Sequence, residues 1–344
     1  MRVAVVTSSP PFAEGGHLVM ARALVRALGD AGHDAGLILT PQNRFGRQCA
    51  AYFASYLTDV GTSAHGPIDQ VITLRYPAYA VRHPNHVCWL NHTMREYYDQ
   101  WARFRGPLSW KNRIKEGARR QIIHMADRHL LKQHVRRLFT ISATVQARLD
   151  RFLSVASTVL HPPAPQRAYR CDGHGDYFFA VSRLTPLKRM DLMVRALAEP
   201  AASGVRSVVA GEGEEAPRLA RLASDLGVAD RITFLGRASD QQVLDHLARC
   251  RAVCFPPFDE DYGFVTVEAF ASGKAVITCH DSGGAAELVR DRVNGLVCEP
   301  TPAALAHAMA TLMGDRNQAI RLGEAGAATA ASLRWEDAVR TLVA

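Results

Sequence analysis

The stretch "AVCFPPFDEDYGFVTVEAFASGKAVITC", Ala252 to Cys279, decides the fold. "AVCFPP" is a continuous apolar run, as expected of a strand buried on both faces. Three acids follow, Asp259, Glu260 and Asp261, then Gly263, which permits an unusual turn. "VTVEAFASG" has helical character and brings a fourth acid, Glu268. "AVITC" is again a buried strand. Strand, loop, helix and strand in this order form a βαβ unit, which needs a parallel sheet.

The same alternation extends in both directions. Upstream, "YFFAVS", "VRSVVAG" and "ITFLG" read as strands, and "KRMDLMVRALAE", "EAPRLARLASDLG" and "DQQVLDHLARC" as helices. Downstream, "AAELVRD" is a short helix and "GLVCEP" a strand before closing helices. The N-terminal half begins alike. "VAVVT" is a strand, a Pro/Gly loop follows, and Leu18, Ala21, Leu24, Val25 and Leu28 stand at helical spacing before the strand "AGLILT". "CAAYFASYLTDVG" is a helix and "QVITLRY", "HVCWLNH" and "LFTIS" are strands; residues 108–136 are helical and basic. Pro162, Pro163 and Pro165, with the polar stretch "QRAYRCDGHGD" behind them, form the clearest linker. The sequence thus predicts an α/β protein of two doubly wound parallel-sheet domains that meet near residue 165. A ligand cleft is expected between them, at the carboxyl ends of the strands.

The totals agree with two soluble domains: 344 residues, 48% hydrophobic and 22% charged. No apolar run is long enough to span a bilayer, and the N-terminus reads as a strand rather than a signal peptide. Seven scattered cysteines without a second Cys/His pair at zinc spacing predict buried, reduced thiols in a cytoplasmic protein. The net charge is +8. Much of it lies in Arg103 to Arg120, where Glu116 is the one acid. A solvated helix face ranks first for this segment. Peripheral contact with the inner face of a membrane, or with an anionic acceptor, ranks second. No nucleic-acid signature is present.

The strand ends carry the candidate chemistry. Gly15 and Gly16 open the first helix, where backbone amides suit a phosphate. They are not part of G-x-G-x-x-G, and no acid follows the second strand, which argues against a nicotinamide-dependent oxidoreductase. "GEGEE" at Gly211 brings three acids that repel phosphate and reads as a turn. Arg183 and Lys188 follow "YFFAV" and suit a diphosphate; Arg189 reads as a surface cation. Glu260 in its loop and Glu268 near the first turn of its helix would address different hydroxyls of one ligand, with free amides around Gly263, Phe264 and Val265 between them. A divalent ion on Asp259 and Asp261 lacks a third ligand, and the helix N-terminus repels it. Asn91, His92 and Arg95 lie at another strand end, where His92 has the chemistry to act on a sugar or an acceptor.

These residues resemble the retaining glycosyltransferases of family 4, which have the GT-B architecture of two Rossmann-like domains. The opening stretch is similar to that family's Glu-x7-Glu signature, and "SRLTPLKRMDL" to its Arg/Lys diphosphate motif. "GEGEEAPRLARLASDLGVADRITFLGRAS" and "GGAAELVRDRVNGLVCEP" match in order and spacing, so the likeness covers most of 178–300. In the N-terminal half it rests on Gly15-Gly16, the His92 strand end, "LFTISATVQARL" and "TVLHPP". The resemblance implies an acceptor-side domain over 1–165, a nucleotide-sugar domain over 166–325, and a helix over 326–344 that packs back toward the first. It implies that Glu260 contacts the transferred sugar and Glu268 the ribose. Arg183 and Lys188, helped by the Gly16 amide, neutralise the leaving diphosphate. His92 touches the sugar's 6-hydroxyl. Leu235, Gly236, Arg237 and Ala238 line the base pocket. Asn91 and Arg95 are acceptor-side candidates. The implied activity is hexosyl transfer from a UDP- or GDP-sugar to a hydroxyl of a glycan, lipid or small metabolite, without metal or other cofactor, by a monomer or homodimer. A non-catalytic sugar-nucleotide or anionic-polymer binder is the competing class.

Overall fold

The apolar runs at the centre of each sheet, such as Val3–Val6 and Phe178–Ala180, form strands buried on both faces, the edge runs "AGLILT" and "ITFLG" stay partly exposed, and the amphipathic stretches between the strands form the covering helices. The computed structural model describes residues 1–10, 15–42 and 45–343. The chain divides into two units, Met1–Pro165 with Arg334–Ala344, and Gln166–Leu333.

The first unit runs β1 (Arg2–Ser9), α1 (Gly16–Asp30), β2 (Asp34–Pro41), α2 (Gln48–Leu57), a short antiparallel pair β3 (Thr62–Ser63) and β4 (Gly66–Pro67), β5 (Gln70–Thr73), β6 (His86–Leu90), α3 (Trp101–Arg105), α4 (Trp110–Gln133), β7 (Arg137–Thr140), α5 (Ala143–Leu153) and β8 (Thr158–Val159). Its sheet has the order β2-β1-β5-β6-β7-β8, parallel throughout. Ser142 caps α5 by accepting from the Val145 amide at 3.1 Å.

Inside this unit the Asp127 carboxylate is fully buried on α4. It accepts from the hydroxyls of Tyr52, Tyr79 (2.7 Å) and Tyr98 (2.6 Å). Burial pushes its carboxyl up to about 6, against the opposing effect of the three hydroxyls. Because the folded value lies above the ordinary one of 3.8, the group's stabilising contribution is complete below about pH 4 and is lost as pH rises through 6. Relative to wild type, Asp127→Asn should therefore gain about 3 kcal/mol of stability between pH 4 and pH 7. Urea unfolding of both proteins across that range checks it, and parallel pH curves would contradict it.

The second unit runs β9 (Tyr177–Val181), α6 (Met190–Ala198), β10 (Arg206–Ala210), α7 (Ala216–Asp225), β11 (Ile232–Gly236), α8 (Asp240–Arg249), β12 (Ala252–Cys254), α9 (Phe264–Ala271), β13 (Val276–Cys279), α10 (Gly284–Glu287), β14 (Gly295–Cys298), α11 (Pro302–Gly314) and α12 (Arg316–Ser332). Its parallel sheet has the order β11-β10-β9-β12-β13-β14. A Ser239/Gln242 capping box starts α8, and Thr301 with Pro302 starts α11.

Two boundaries differ from the sequence expectation. The helix expected over 285–291 is a single turn, α10. The buried Asn294 side chain accepts from the Arg290 amide at 2.7 Å and donates to the Leu288 carbonyl at 2.9 Å, which replaces helical bonding there. The second unit also extends to Leu333 rather than 325, because α12 stays packed on it past that point: Gly326 is buried against Phe270, the Thr329 hydroxyl accepts from the Asn294 side-chain amide at 3.1 Å, and Ala330 packs on its core. Only α13 (Trp335–Val343) belongs with the first unit. There Gln70 donates to the Leu342 carbonyl at 2.7 Å and Trp335 to the Ala164 carbonyl at 2.8 Å. The cysteines are free thiols. Cys88, Cys250, Cys254 and Cys279 are buried as expected, whereas Cys49 and Cys171 are exposed.

Candidate active site

In the second unit the strand order reverses between β9 and β12, the two central neighbours that lead to opposite halves of the sheet. Loops diverge at such a point and leave a crevice outside the carboxyl ends of the strands. β9 leads into Arg183 and a 3-10 turn, Pro186–Lys188; β12 leads into Phe255–Glu260. Across this point Lys188 Nζ lies 2.6 Å from Glu260 Oε2, and 5.5 Å from the centre of the Phe255 ring. Both side chains keep about a fifth of their surface exposed, 21% and 19%. Each is therefore desolvated enough to interact strongly and open enough to turn to a ligand. The Arg183 side chain is exposed and makes no ion pair among the described residues.

The Glu260 loop is fastened along its backbone. The Asp259 and Glu260 amides donate to the Asp281 and Ser282 carbonyls at 2.8 and 3.1 Å, and the Gly284 amide donates to the Glu260 carbonyl at 2.8 Å. Gly283 makes this approach possible. Its φ is +59°, and a Cβ there would lie 2.6 Å from the Glu260 carbonyl oxygen. Arg189, expected as a surface cation, is a fastener. Its guanidinium donates to the Pro256 and Pro257 carbonyls at 2.9 and 2.8 Å, and forks onto Asp281 at 2.8 and 2.6 Å.

Gly263, at φ +79°, is the N-cap of α9; a side chain there would press on Phe255 and Ala285 at 2.9 Å. The amides of Phe264 and Val265 lie in the first turn and have no intrahelical acceptor. Glu268 is the fifth residue of α9, just past its first turn, and is buried. Its Oε1 accepts from Arg167 Nη1 and the Tyr169 hydroxyl, both at 3.1 Å. Among the described residues Oε2 has no hydrogen-bond partner. Burial raises the Glu268 carboxyl and the Arg167 charge opposes this. Arg167 and Tyr169 escape sequence reasoning because they stand in a proline-flanked stretch that reads as linker; nothing local marks them as partners of a residue a hundred positions away.

The remaining candidates fall as follows. Leu235 and Gly236 end β11, and Arg237 and Ala238 follow it. The Gly236 carbonyl accepts from the Gly211 amide at 2.8 Å, and Arg237 is exposed, 3.0 Å from Glu212. In the first unit, Gly15 caps α1 and Gly16 is its first residue; residues 11–14 of the preceding loop lie outside the described residues. His92 Nδ1 lies 2.7 Å from the Thr93 carbonyl. Asn91 is buried, with its amide nitrogen facing the Trp89 and Leu74 carbonyls at 3.3 and 3.2 Å. Arg95 is paired with Asp99 at 2.6 Å. Asn91 and Arg95 are thus engaged within their own unit. No three His, Cys, Asp or Glu side chains gather at metal-binding distance among the described residues.

Sequence comparison shows what this arrangement is similar to. Residues 166–329 match the profile of the family Glycosyl transferases group 1. The matched segment contains Arg183, Lys188, Glu260 and Glu268 alike. Among curated relatives, the D-inositol 3-phosphate glycosyltransferase of Nocardia farcinica is 31% identical over 237 residues, 64% of this chain and 52% of that one. The chain thus spans about half the length of the curated relatives it matches. Among solved structures, sucrose-phosphate synthase from Thermosynechococcus elongatus superimposes with a TM-score of 0.76 at 18% identity, covering 99% of this chain and 98% of that one. HepE from Anabaena, solved in complex with UDP and glucose, gives 0.70 at 17% identity over 99% and 98%. The fold is the GT-B fold, with two Rossmann-like parallel sheets.

Proposed function

We propose that the chain is a retaining glycosyltransferase of the family 4 type, which moves a hexosyl group from a nucleoside-diphosphate sugar to an acceptor hydroxyl. The Lys188–Glu260 pair at the strand-order reversal carries this reading, with the exposed Arg183 beside it in sequence and the open amides of α9. As the sugar–phosphate bond breaks, negative charge grows on the diphosphate and positive charge on the anomeric carbon. Lys188, Arg183 and the Phe264 and Val265 amides meet the first without reorganisation. Glu260 is held rigidly by its backbone and accepts from hydroxyls of the transferred sugar. Glu268 offers Oε2 to the ribose, its other oxygen fixed by Arg167 and Tyr169. The backbone of Leu235 to Ala238 faces the base. The acceptor hydroxyl attacks on the side from which the diphosphate departs. Cations and amides supply the charge stabilisation, so no metal enters the scheme. The roles given to Gly16 and His92 rest on the family resemblance alone.

HepE's complex with UDP and glucose makes UDP-glucose the first donor to test, with a GDP-sugar second. The relatives' name makes D-inositol 3-phosphate the first acceptor. Proton NMR follows release of the nucleoside diphosphate and the configuration of the new linkage. The expected product keeps the donor's anomeric configuration and forms equally with a chelator present. An inverted product, or loss of turnover with the chelator, would contradict the mechanism. Binding across the donor panel without turnover would make the chain a sugar-nucleotide binder instead.

A further inference from the structure

The long helix α4 carries two acids, Glu116 and Asp127, and both are turned into the first unit. Glu116 accepts from the Tyr97 hydroxyl at 2.6 Å and pairs with Arg119 at 2.7 Å; Asp127 takes its three tyrosine hydroxyls. The outward side of α4 therefore presents cations and apolar groups without a competing acid of its own. Lys111, Lys115, Ile122, Met125 and Lys132 share one face at helical spacing, and all five are exposed. Beside α4 lies α2, "QCAAYFASYL", which has no charged residue. Six large apolar side chains on the two helices, Phe53, Leu57, Trp110, Ile114, Ile122 and Met125, are between 54% and 73% exposed. The helices border an apolar groove of about 530 Å³, with Ile123 and Leu130 buried within it, Phe53 and Ile122 at its edges, and Lys115 and His129 on its rim.

Exposed apolar groups in such density mark an interaction surface. Its chemistry selects the partner. Lysine is depleted in the cores of protein–protein interfaces, whereas lysines interleaved with large apolar groups suit a lipid boundary, where the stems lie along the acyl region and the ammonium groups reach phosphates. Trp110 at the start of α4 is the residue type favoured at that depth. The apolar groove has the lining an acyl chain requires. We propose that the α2–α4 face docks the chain on a membrane surface that carries anionic phospholipid. The surface is more specific than the basic stretch 103–120 that the sequence marks, since it includes uncharged α2 and extends along α4 to Lys132. It is independent of the donor site in the second unit.

Vesicle flotation of the full chain tests it, with phosphatidylcholine alone against phosphatidylcholine containing about 30 mol% phosphatidylglycerol, at about 0.1 M salt. The chain should float with the anionic vesicles and bind neutral ones at least tenfold more weakly. Lys111→Ala with Lys115→Ala should weaken anionic binding by roughly fivefold per lysine. Ile122→Glu with Met125→Glu should abolish it while leaving the melting temperature unchanged, as both side chains are exposed. Equal recovery on both vesicle types, or none on either at low salt, would overturn the proposal. A dimer in sedimentation that Ile122→Glu dissolves would overturn it too, and would make the face an interface between two copies.

Discussion

Lys188→Ala and Glu260→Ala should each lower kcat by 10²- to 10³-fold, and the double variant should lose little more than either alone. The magnitude follows from removing one preorganised charge from a site where charge develops during reaction. The near-absence of additivity follows from contact. The two side chains are 2.6 Å apart, so removing one also strips the other of its partner. Lys188→Ala should act on kcat more than on KM, because the diphosphate gains charge only as the bond breaks. Neither change should unfold the chain. Both side chains reach solvent, and pairs of this kind contribute about 1 kcal/mol or less to stability. A double-mutant cycle on purified protein measures all of this. Independent, multiplicative losses would separate the two residues and contradict a shared site.

The second large effect concerns a residue with no side chain. Gly283→Ala should lower kcat at least 10²-fold and destabilise the second unit by about 2–4 kcal/mol. The backbone there has φ +59° and ψ −134°, a combination almost confined to glycine, which costs an alanine about 1–3 kcal/mol. The new Cβ would lie 2.6 Å from the Glu260 carbonyl oxygen and 2.9 Å from its amide nitrogen. Those atoms are backbone and cannot step aside, so the Glu260 loop must move, and a displacement of about 1 Å is enough for a loss of that order. Gly314→Ala is the control, since nothing lies within 4 Å of its added methyl. It should be neutral or slightly stabilising. A thermal melt and a turnover measurement on both variants decide the matter. Wild-type turnover in Gly283→Ala would show that the loop position is unimportant.

What the sequence discloses here depends on whether a signal is local. The βα alternation is local. Apolar runs such as "VAVVT" and "YFFAV" can only be buried strands, and the parallel sheets follow from their order. Lys188, Glu260 and Gly263 are visible for a similar reason, standing at strand ends where side chains meet ligands. Arg189 was misread because a cation beside another cation resembles a solvated pair; its partners, Pro256, Pro257 and Asp281, lie far along the chain. Arg167 and Tyr169 are hidden by the same separation from Glu268. Composition counts charges without giving their direction. The basic stretch 103–120 was plain, but not that Glu116 and Asp127 turn inward onto tyrosines and leave the α4 surface without an acid of its own. The shortened α10 shows a further limit, since a single buried side chain, Asn294, outweighs helical propensity.

The central claim is that the strand ends of β9 and β12, with α9, bind a nucleoside diphosphate. Calorimetric titration of UDP and GDP into wild type, Arg183→Ala, Lys188→Ala and Glu268→Ala tests it most directly. One diphosphate should bind wild type, and each variant should weaken it at least tenfold. If neither diphosphate binds wild type, or if all three variants bind as tightly, the claim fails.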